Sequence, residues 1–406
     1  MRLGSILLAV SVLCASVDET AKLHRASYED DVAAAAELIR KGTDVNAAND
    51  MGVTALWLAS QNGGAAMVRT LLDAGANPNA ALLSGETPVM VAARSGKDDV
   101  VEQLLARGAN VNARATRRQT ALMWAVAQKH SDVVKVLLAH GADIHTRSET
   151  WSQMMAVPPH GHADYNRMIP HGGYTALLFA ARVGDLRSAK LLVAAGANVN
   201  DEDAGGVSAT VLAAHSGYRE FVEFLLDKGA DSNAARAGFT ALHEAIMRRD
   251  EPMVAALLAH GADPNAPLKT WTPTRRSSKD YHFQPALVGS TPFWLAARFC
   301  QPTVMKLLAT RGADPRFVHT SKYIAGERFD QRMEKTTPVL AALGMGGGTP
   351  WVAIPTKDRE ALTLETVRVA TELGADLKAT STDGRTAIEV ARAMGYASVV
   401  SYLEGR

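Results

Sequence analysis

TALMWAVAQKHSDVVKVLLAHGADI, residues 120–144, contains one complete structural unit: helix, turn, helix and exit loop. Thr120 stands where a helix starts, and its hydroxyl can accept an otherwise unpaired backbone N–H. Leu122, Met123, Val126 and Ala127 form an apolar stripe at helical spacing. The polar run Lys129-His130-Ser131-Asp132 interrupts it. Val133, Val134, Leu137 and Leu138 open a second stripe, and Gly141 follows where a left-handed helix end favours glycine. Each predicted helix has about ten residues, too short to be stable alone in water. A pair of such helices leaves an apolar face uncovered, so the unit requires neighbours.

The neighbours are copies. The capping residue recurs at Thr54, Thr87 and Thr120 in steps of 33 residues, then at Thr175, Ser208, Thr240, Thr291, Thr337 and Thr386. One step before Thr54 lies Ala21, an imperfect first copy, which gives ten units between residues 21 and 406. A second landmark keeps the same period: glycine closes the second helix at Gly42, Gly75, Gly108, Gly141, Gly196, Gly229, Gly261, Gly312 and Gly374. Pro88, Pro292 and Pro338 follow their caps directly, at the first helical position, where a missing N–H costs nothing.

With TALHEA at 240–245, LLAHGADPN at 257–265 and GANPN, GANVN and GADSN at 75–79, 108–112 and 229–233, the chain resembles the ankyrin-repeat family over nearly all its length after residue 20. The resemblance implies an all-α solenoid of about ten helix-turn-helix units. It implies finger-like loops between units, a concave face, and binding of proteins rather than catalysis. His24 and His243 fall on the family's histidine position, where the side chain bonds within the stack. Trp57, Met90, Met123, Leu178, Val211, Trp294 and Leu340 occupy the same place in other copies, so the stack does not require histidine there. His140, His260, Arg107, Lys228 and Arg311 each precede a closing glycine, where a cation complements the helix dipole.

Composition excludes several classes. Lys and Arg number 43 against 42 Asp and Glu, a formal net charge of +1, which argues against a nucleic-acid binder working by phosphate neutralisation. The two cysteines, Cys14 and Cys300, provide neither a disulfide framework nor zinc-finger spacing, and Cys300 reads as a small buried apolar side chain. Residues 1–16 carry one charge, Arg2, and then an apolar run from Leu3 to Ala15 that is too short to span a bilayer. The run fits a signal peptide cleaved before Val17. The expected location is periplasmic or secreted, with a cytoplasmic one as the alternative, and no membrane span is expected elsewhere.

Measured against the repeat, the chain divides into repeats one to four (17–147), a finger insert (148–173), repeats five to seven (174–266), a second finger insert (267–289), repeat eight (290–314), a third finger insert (315–336), repeat nine with an inter-helix insert at 344–360 (337–385), and a C-terminal capping repeat (386–406). The inter-helix insert opens with Gly344-Met345-Gly346-Gly347-Gly348, a flexible or tightly turned run. No GK[ST] follows it and no strand precedes it, so it is not a phosphate loop.

The insertions are rich in aromatics, unlike disordered linkers. Trp151, Tyr165, Trp271, Tyr281, Phe283 and Tyr323 are candidate partner contacts, since such residues dominate interface hot spots. Packing of these rings back onto the stack is the competing expectation. His160, His162, Asp164 and His171 in the first insert are candidate metal ligands for an alternative reading, a metal-binding protein or metal-dependent enzyme. Their spacing matches no established zinc motif. Lys269, Arg275, Arg276 and Lys279 beside Trp271 read as a solvated loop. The first and second inserts are three repeats apart, roughly 30 Å at about 10 Å per packed layer, so nothing requires a shared site. The expected function is a non-enzymatic scaffold, monomeric and without cofactor, that holds an unidentified protein through the concave face and finger loops.

Overall fold

The computed structural model describes residues 19–156, 162–272, 282–325, 329–348 and 354–406. The predicted leader therefore lies outside the described residues, as do His160 and Tyr281. The chain groups into two compact units. One comprises the residues up to Thr150 together with Gly173–Asn198; the other comprises Trp151–Gly172 with Val199–Arg406.

In the first unit helices pair in sequence: α1 (19–29) with α2 (Val32–Arg40), α3 (Ala55–Asn62) with α4 (Ala65–Asp73), α5 (Pro88–Arg94) with α6 (Asp98–Ala106), α7 (Ala121–Ala127) with α8 (Ser131–Ala139), and α9 (Ala176–Val183) with α10 (Leu186–Ala194). First helices stack on first helices, α3 on α5 on α7 on α9, and second helices do likewise. The second unit repeats the scheme with α11 (Ala209–Ser216), α12 (Arg219–Asp227), α13 (Ala241–Arg248), α14 (Glu251–Ala259), α15 (Pro292–Arg298), α16 (Pro302–Ala309), α17 (Pro338–Ala342), α18 (Thr356–Glu372), α19 (Ala387–Ala393) and α20 (Ala397–Glu404). Most of these helices are seven to nine residues long, which is why their stability comes from stacking rather than propensity.

Three side-chain devices fix the repeats, the first within each repeat and the other two between neighbours. The first is the N-cap: the hydroxyls of Thr54, Thr120, Ser208, Thr240, Thr291, Thr337 and Thr386 each accept the backbone N–H three residues on. At Thr240 and Thr386 the third helical residue reciprocates, and His243 and Glu389 complete capping boxes. The second explains the final asparagine of the G-A-x-x-N string. Asn79 Nδ2 donates to Gly108 O (2.9 Å) while its Oδ1 accepts from Asn110 N (2.7 Å). Asn46, Asn112, Asn233 and Asn265 bridge to the next repeat in the same way. Each such bond is worth about 1 kcal/mol net, and a repeated ladder fixes the register between repeats.

The third device is not visible in the repeat landmarks. First helices end on a left-handed residue, glycine at Gly63, Gly184, Gly217 and Gly395, but Asp30, Lys129, Arg249 and Cys300 keep that conformation too, with φ of 58°, 63°, 59° and 49°. The last carbonyls there need donors. Side chains of the following repeat supply them: His130 Nε2 to Arg94 O (3.1 Å), Arg248 Nη1 to His215 O (2.8 Å), and Arg249 Nη2 to Cys300 O (3.2 Å) in the reverse sense. Cys300 itself is buried, a free thiol whose pKa burial raises, in keeping with its reading as a core side chain.

The structure adds two small sheets to the expected all-α scheme. The first finger insert forms strands β1 (Thr150–Ala156) and β2 (Asn166–Gly172), hydrogen-bonded to each other. The third forms β3 (His319–Ala325) and β4 (Asp330–Thr336), antiparallel, with His319 opposite Thr336 and Tyr323 opposite Arg332. The inter-helix insert also differs from the expected loop: its last residues are helical and lengthen α18 to 17 residues. Its glycines are tightly turned, with φ between 70° and 93° at Gly344, Gly346, Gly347 and Gly348. A Cβ at Gly346 would lie 2.6 Å from the Trp294 ring, so glycine is required by contact as well as by conformation. No helix among the described residues is long and apolar enough to cross a membrane.

Candidate functional site

All three finger insertions meet in the second unit. Tyr165 from the first, Trp271 from the second and Ile324 from the third form one buried cluster, against which Val288 packs. The Tyr165 and Trp271 rings meet edge to face with centroids 6.2 Å apart. The Tyr165 hydroxyl accepts the backbone N–H of Ile324 at 2.7 Å, and the Arg167 guanidinium lies 4.9 Å over the Trp271 ring. His162 packs on Phe329 with ring centroids 5.4 Å apart. Repeat spacing alone neither required nor forbade this meeting, and the insertions are long enough to make it.

The second insert is anchored from below. Leu268 N donates to Ser290 O (2.9 Å) and Gly289 N to Leu268 O (2.7 Å), which pins its two ends together. Phe283 is fully buried, with its ring 5.2 Å from that of Phe239 and edge-on to His243 at 6.2 Å. The third insert is anchored by the inner face of its hairpin. His319, Ser321 and Thr336 are buried, His319 Nε2 donates to Ala286 O (3.0 Å), and its ring sits 4.3 Å from that of Trp294. Burial pushes the His319 imidazole below its ordinary pKa. The Tyr323 hydroxyl donates to Glu334 Oε1 (2.9 Å), and burial together with that carboxylate pushes its pKa up to about 12. Glu334 Oε2 accepts Gly346 N (3.0 Å), and Arg298 donates from Nε to Gly347 O (2.9 Å) and from Nη2 to Gly348 O (2.6 Å). The glycine run is thus tied to the third hairpin and to α15.

These placements revise the candidate contacts. Tyr165, Trp271 and Phe283, expected as possible anchors for a partner, are 7%, 6% and 0% exposed and packed inside. They hold the insertions together and offer no surface. Tyr323 is half-buried and occupied by Glu334. Trp151 alone of the described candidates is well exposed, at 41%, with its other face stacked on His171 at 5.6 Å. The His171 ring, one of the candidate metal ligands, is taken up in that stacking. His162 Nδ1 and Asp164 Oδ2 lie 3.8 Å apart, but among the described residues no three His, Cys, Asp or Glu side chains are grouped to hold a metal.

The outer surface of the insertions is apolar in a way the aromatic count did not reveal. Met154 and Met168 on the first hairpin and Met333 on the third are 58%, 56% and 50% exposed, and Phe329 is also exposed. A cavity of about 440 Å³ opens beside the cluster, lined by Asp164, Tyr165, Lys322, Arg332 and Met333, and one of about 310 Å³ by His282, Gln284 and Pro285. Tyr323 and Ile324 line both. The first combines charges of both signs with an apolar wall and, among the described residues, contains no Ser, Cys or His. Such a lining offers a polypeptide both ionic and apolar contacts.

A family model described as ankyrin repeats matches residues 23–115, 82–148, 155–236 and 177–267. Curated relatives include the palmitoyltransferase ZDHHC13 of Mus musculus, 40% identical over 87 residues, and serine/threonine-protein kinase 12 of Arabidopsis thaliana, 33% identical over 116 residues. These alignments cover 21% and 28% of this chain. An ankyrin repeat-containing protein of Treponema pallidum (strain Nichols) is 38% identical over 94 residues, 23% of this chain. The chain spans only 14%, 25% and 32% of these three relatives.

Proposed function

Because the chain belongs to the ankyrin-repeat family, whose repeats are protein–protein interaction modules, we propose that it is a non-enzymatic, monomeric scaffold that captures a protein partner through its finger insertions and the concave face the family implies. The observation that carries this reading is the exposure of Met154, Met168 and Met333, with Trp151 and Phe329, on the two hairpins. Flexible, polarizable methionines and a partly exposed tryptophan are favoured at binding surfaces, and long apolar side chains gain nothing from facing water. The buried cluster beneath supplies the rigid base that keeps this surface in one arrangement.

Affinity capture tests the reading. A variant with Met154, Met168 and Met333 all replaced by serine loses the partner that the wild-type chain retains, by about tenfold or more in affinity. Its unfolding temperature stays within a few degrees, since the three side chains already face solvent. Capture equal to wild type would remove the hairpins from the binding surface.

A further inference from the structure

One finger of the first unit breaks a rule the others keep. Two residues before the capping residue, where the finger turns, the chain uses left-handed glycine: Gly52 (φ 83°), Gly85 (φ 79°) and Gly173 (φ 71°) in this unit, and Gly206, Gly238, Gly289 and Gly384 in the other. In the repeat capped by Thr120 the same place holds Arg118, and Arg118 and its neighbour Arg117 keep the left-handed backbone, with φ of 57° and 58°. An L side chain is strained there, and two in succession more so. Space does not forbid it at this finger. A Cβ at Gly52 would meet Ala81 O at 3.0 Å and one at Gly85 would meet Ala115 Cα at 3.2 Å. Beside Arg118, where the first insertion departs, a cavity of about 560 Å³ opens instead.

That cavity is lined by Arg114, Arg118, Asp143, His145, Arg147 and Glu149. Arg117 O accepts Glu149 N at 2.7 Å, so the strained turn is also a backbone support for the next finger. Arg147 Nη1 donates to Gly173 O (2.9 Å), which fixes its guanidinium. The Asp143 carboxylate is satisfied within its own turn, by Thr146 Oγ1 (2.7 Å) and His145 N (2.9 Å), and these bonds hold its pKa below the ordinary value. Arg114 and Arg118 have no ion-pair partner among the described residues. Guanidinium groups left unpaired at the edge of a cavity are donors set for carboxylates.

We propose that this cavity binds an acidic peptide segment of the partner, its carboxylates pairing with Arg114 and Arg118; this deepens the protein-binding reading and rests on it. The rim carboxylates, Asp143 and Glu149, select against a compact phosphate dianion and leave room for a chain whose acids are spaced by neutral residues. Strain at Arg117 and Arg118 is tolerated because it aims a guanidinium where glycine would leave none.

The probe is a fluorescein-labelled peptide of alternating glutamate and glycine, titrated with the full chain at low salt and followed by anisotropy. Wild type binds it, and binding weakens as salt rises. Arg118→Gly, which restores the residue found at seven other finger tips, weakens binding about tenfold or more without lowering the unfolding temperature. Arg114→Gln weakens it similarly. Arg219→Gln, an exposed arginine of the other unit paired with Glu223, leaves it unchanged. No binding by wild type, equal binding by Arg118→Gly, equal loss in Arg219→Gln, or preference for a phosphoserine peptide would each overturn the site. Capture of the partner that survives Arg118→Gly and Arg114→Gln while the peptide fails to bind wild type overturns this inference alone. Loss of capture in the methionine variant is independent of it.

Discussion

Replacing Trp271 with alanine lowers the unfolding free energy by about 3 kcal/mol, the usual range for emptying a buried tryptophan site, and makes both hairpins sensitive to protease. Trp271 contacts Tyr165 from the first insertion and supports the Arg167 guanidinium, and the same cluster holds Ile324 of the third. Its removal takes away the wall on which two other insertions lean. Trp151→Ala is the control: Trp151 is 41% exposed, so its replacement costs under about 1 kcal/mol. Denaturant titration of the two variants separates the roles. A larger loss for Trp151 than for Trp271 would mean that the cluster is not the anchor.

Acid weakens the second unit through His243. Its ring is fully buried at the N-terminus of α13, where Nδ1 accepts Thr240 N at 3.2 Å, a bond that only an unprotonated Nδ1 can make. Desolvation lowers its pKa from 6.5 to about 4, opposed by a backbone hydrogen bond. The unfolded chain binds a proton at about pH 6.5 and the folded chain does not, so the stabilisation is complete above that value and is lost as pH falls toward about 4. At about 1.4 kcal/mol per pH unit the loss approaches 3 kcal/mol across the window. Buried His319 shifts in the same direction and adds to the slope. His243→Met, matching the residue at the same place in the repeats of Met90 and Met123, flattens the dependence. Equal slopes in wild type and variant, measured by urea denaturation between pH 7 and pH 4, would place the titration elsewhere.

The repeats were legible because two independent landmarks, the capping hydroxyl and the closing glycine, answer to backbone chemistry that every copy shares. The interruptions were legible only as excess length. β3 could not be read from alternation of apolar residues, since its inner face is buried His319 and Ser321 with half-buried Tyr323, polar side chains held by specific hydrogen bonds rather than by hydrophobicity. The convergence of the insertions was hidden for a different reason. Tyr165 and Ile324 are far apart in sequence and joined by a backbone bond to a hydroxyl, a contact that leaves no periodic trace. Aromatic enrichment marked the insertions without deciding between packing and exposure: Tyr165, Trp271 and Phe283 pack inward, Trp151 and Phe329 stay exposed, and so do Met154, Met168 and Met333, which pattern reading passes over as core filler. Arg118 was visible in the sequence as the residue standing where seven other finger tips have glycine, but its meaning needed the backbone angle.

Three insertions from separate repeats form one body beneath the exposed methionines, and amide hydrogen exchange at Ile324 reports on that union. Its N–H donates to the Tyr165 hydroxyl. It exchanges slowly in the wild-type chain and at least about tenfold faster in Tyr165→Phe and in Trp271→Ala, as expected when a buried hydrogen bond of about 1 kcal/mol or more is lost. Exchange in the wild type at the rate of an unprotected amide, or protection untouched by either substitution, would mean that the insertions do not form one body.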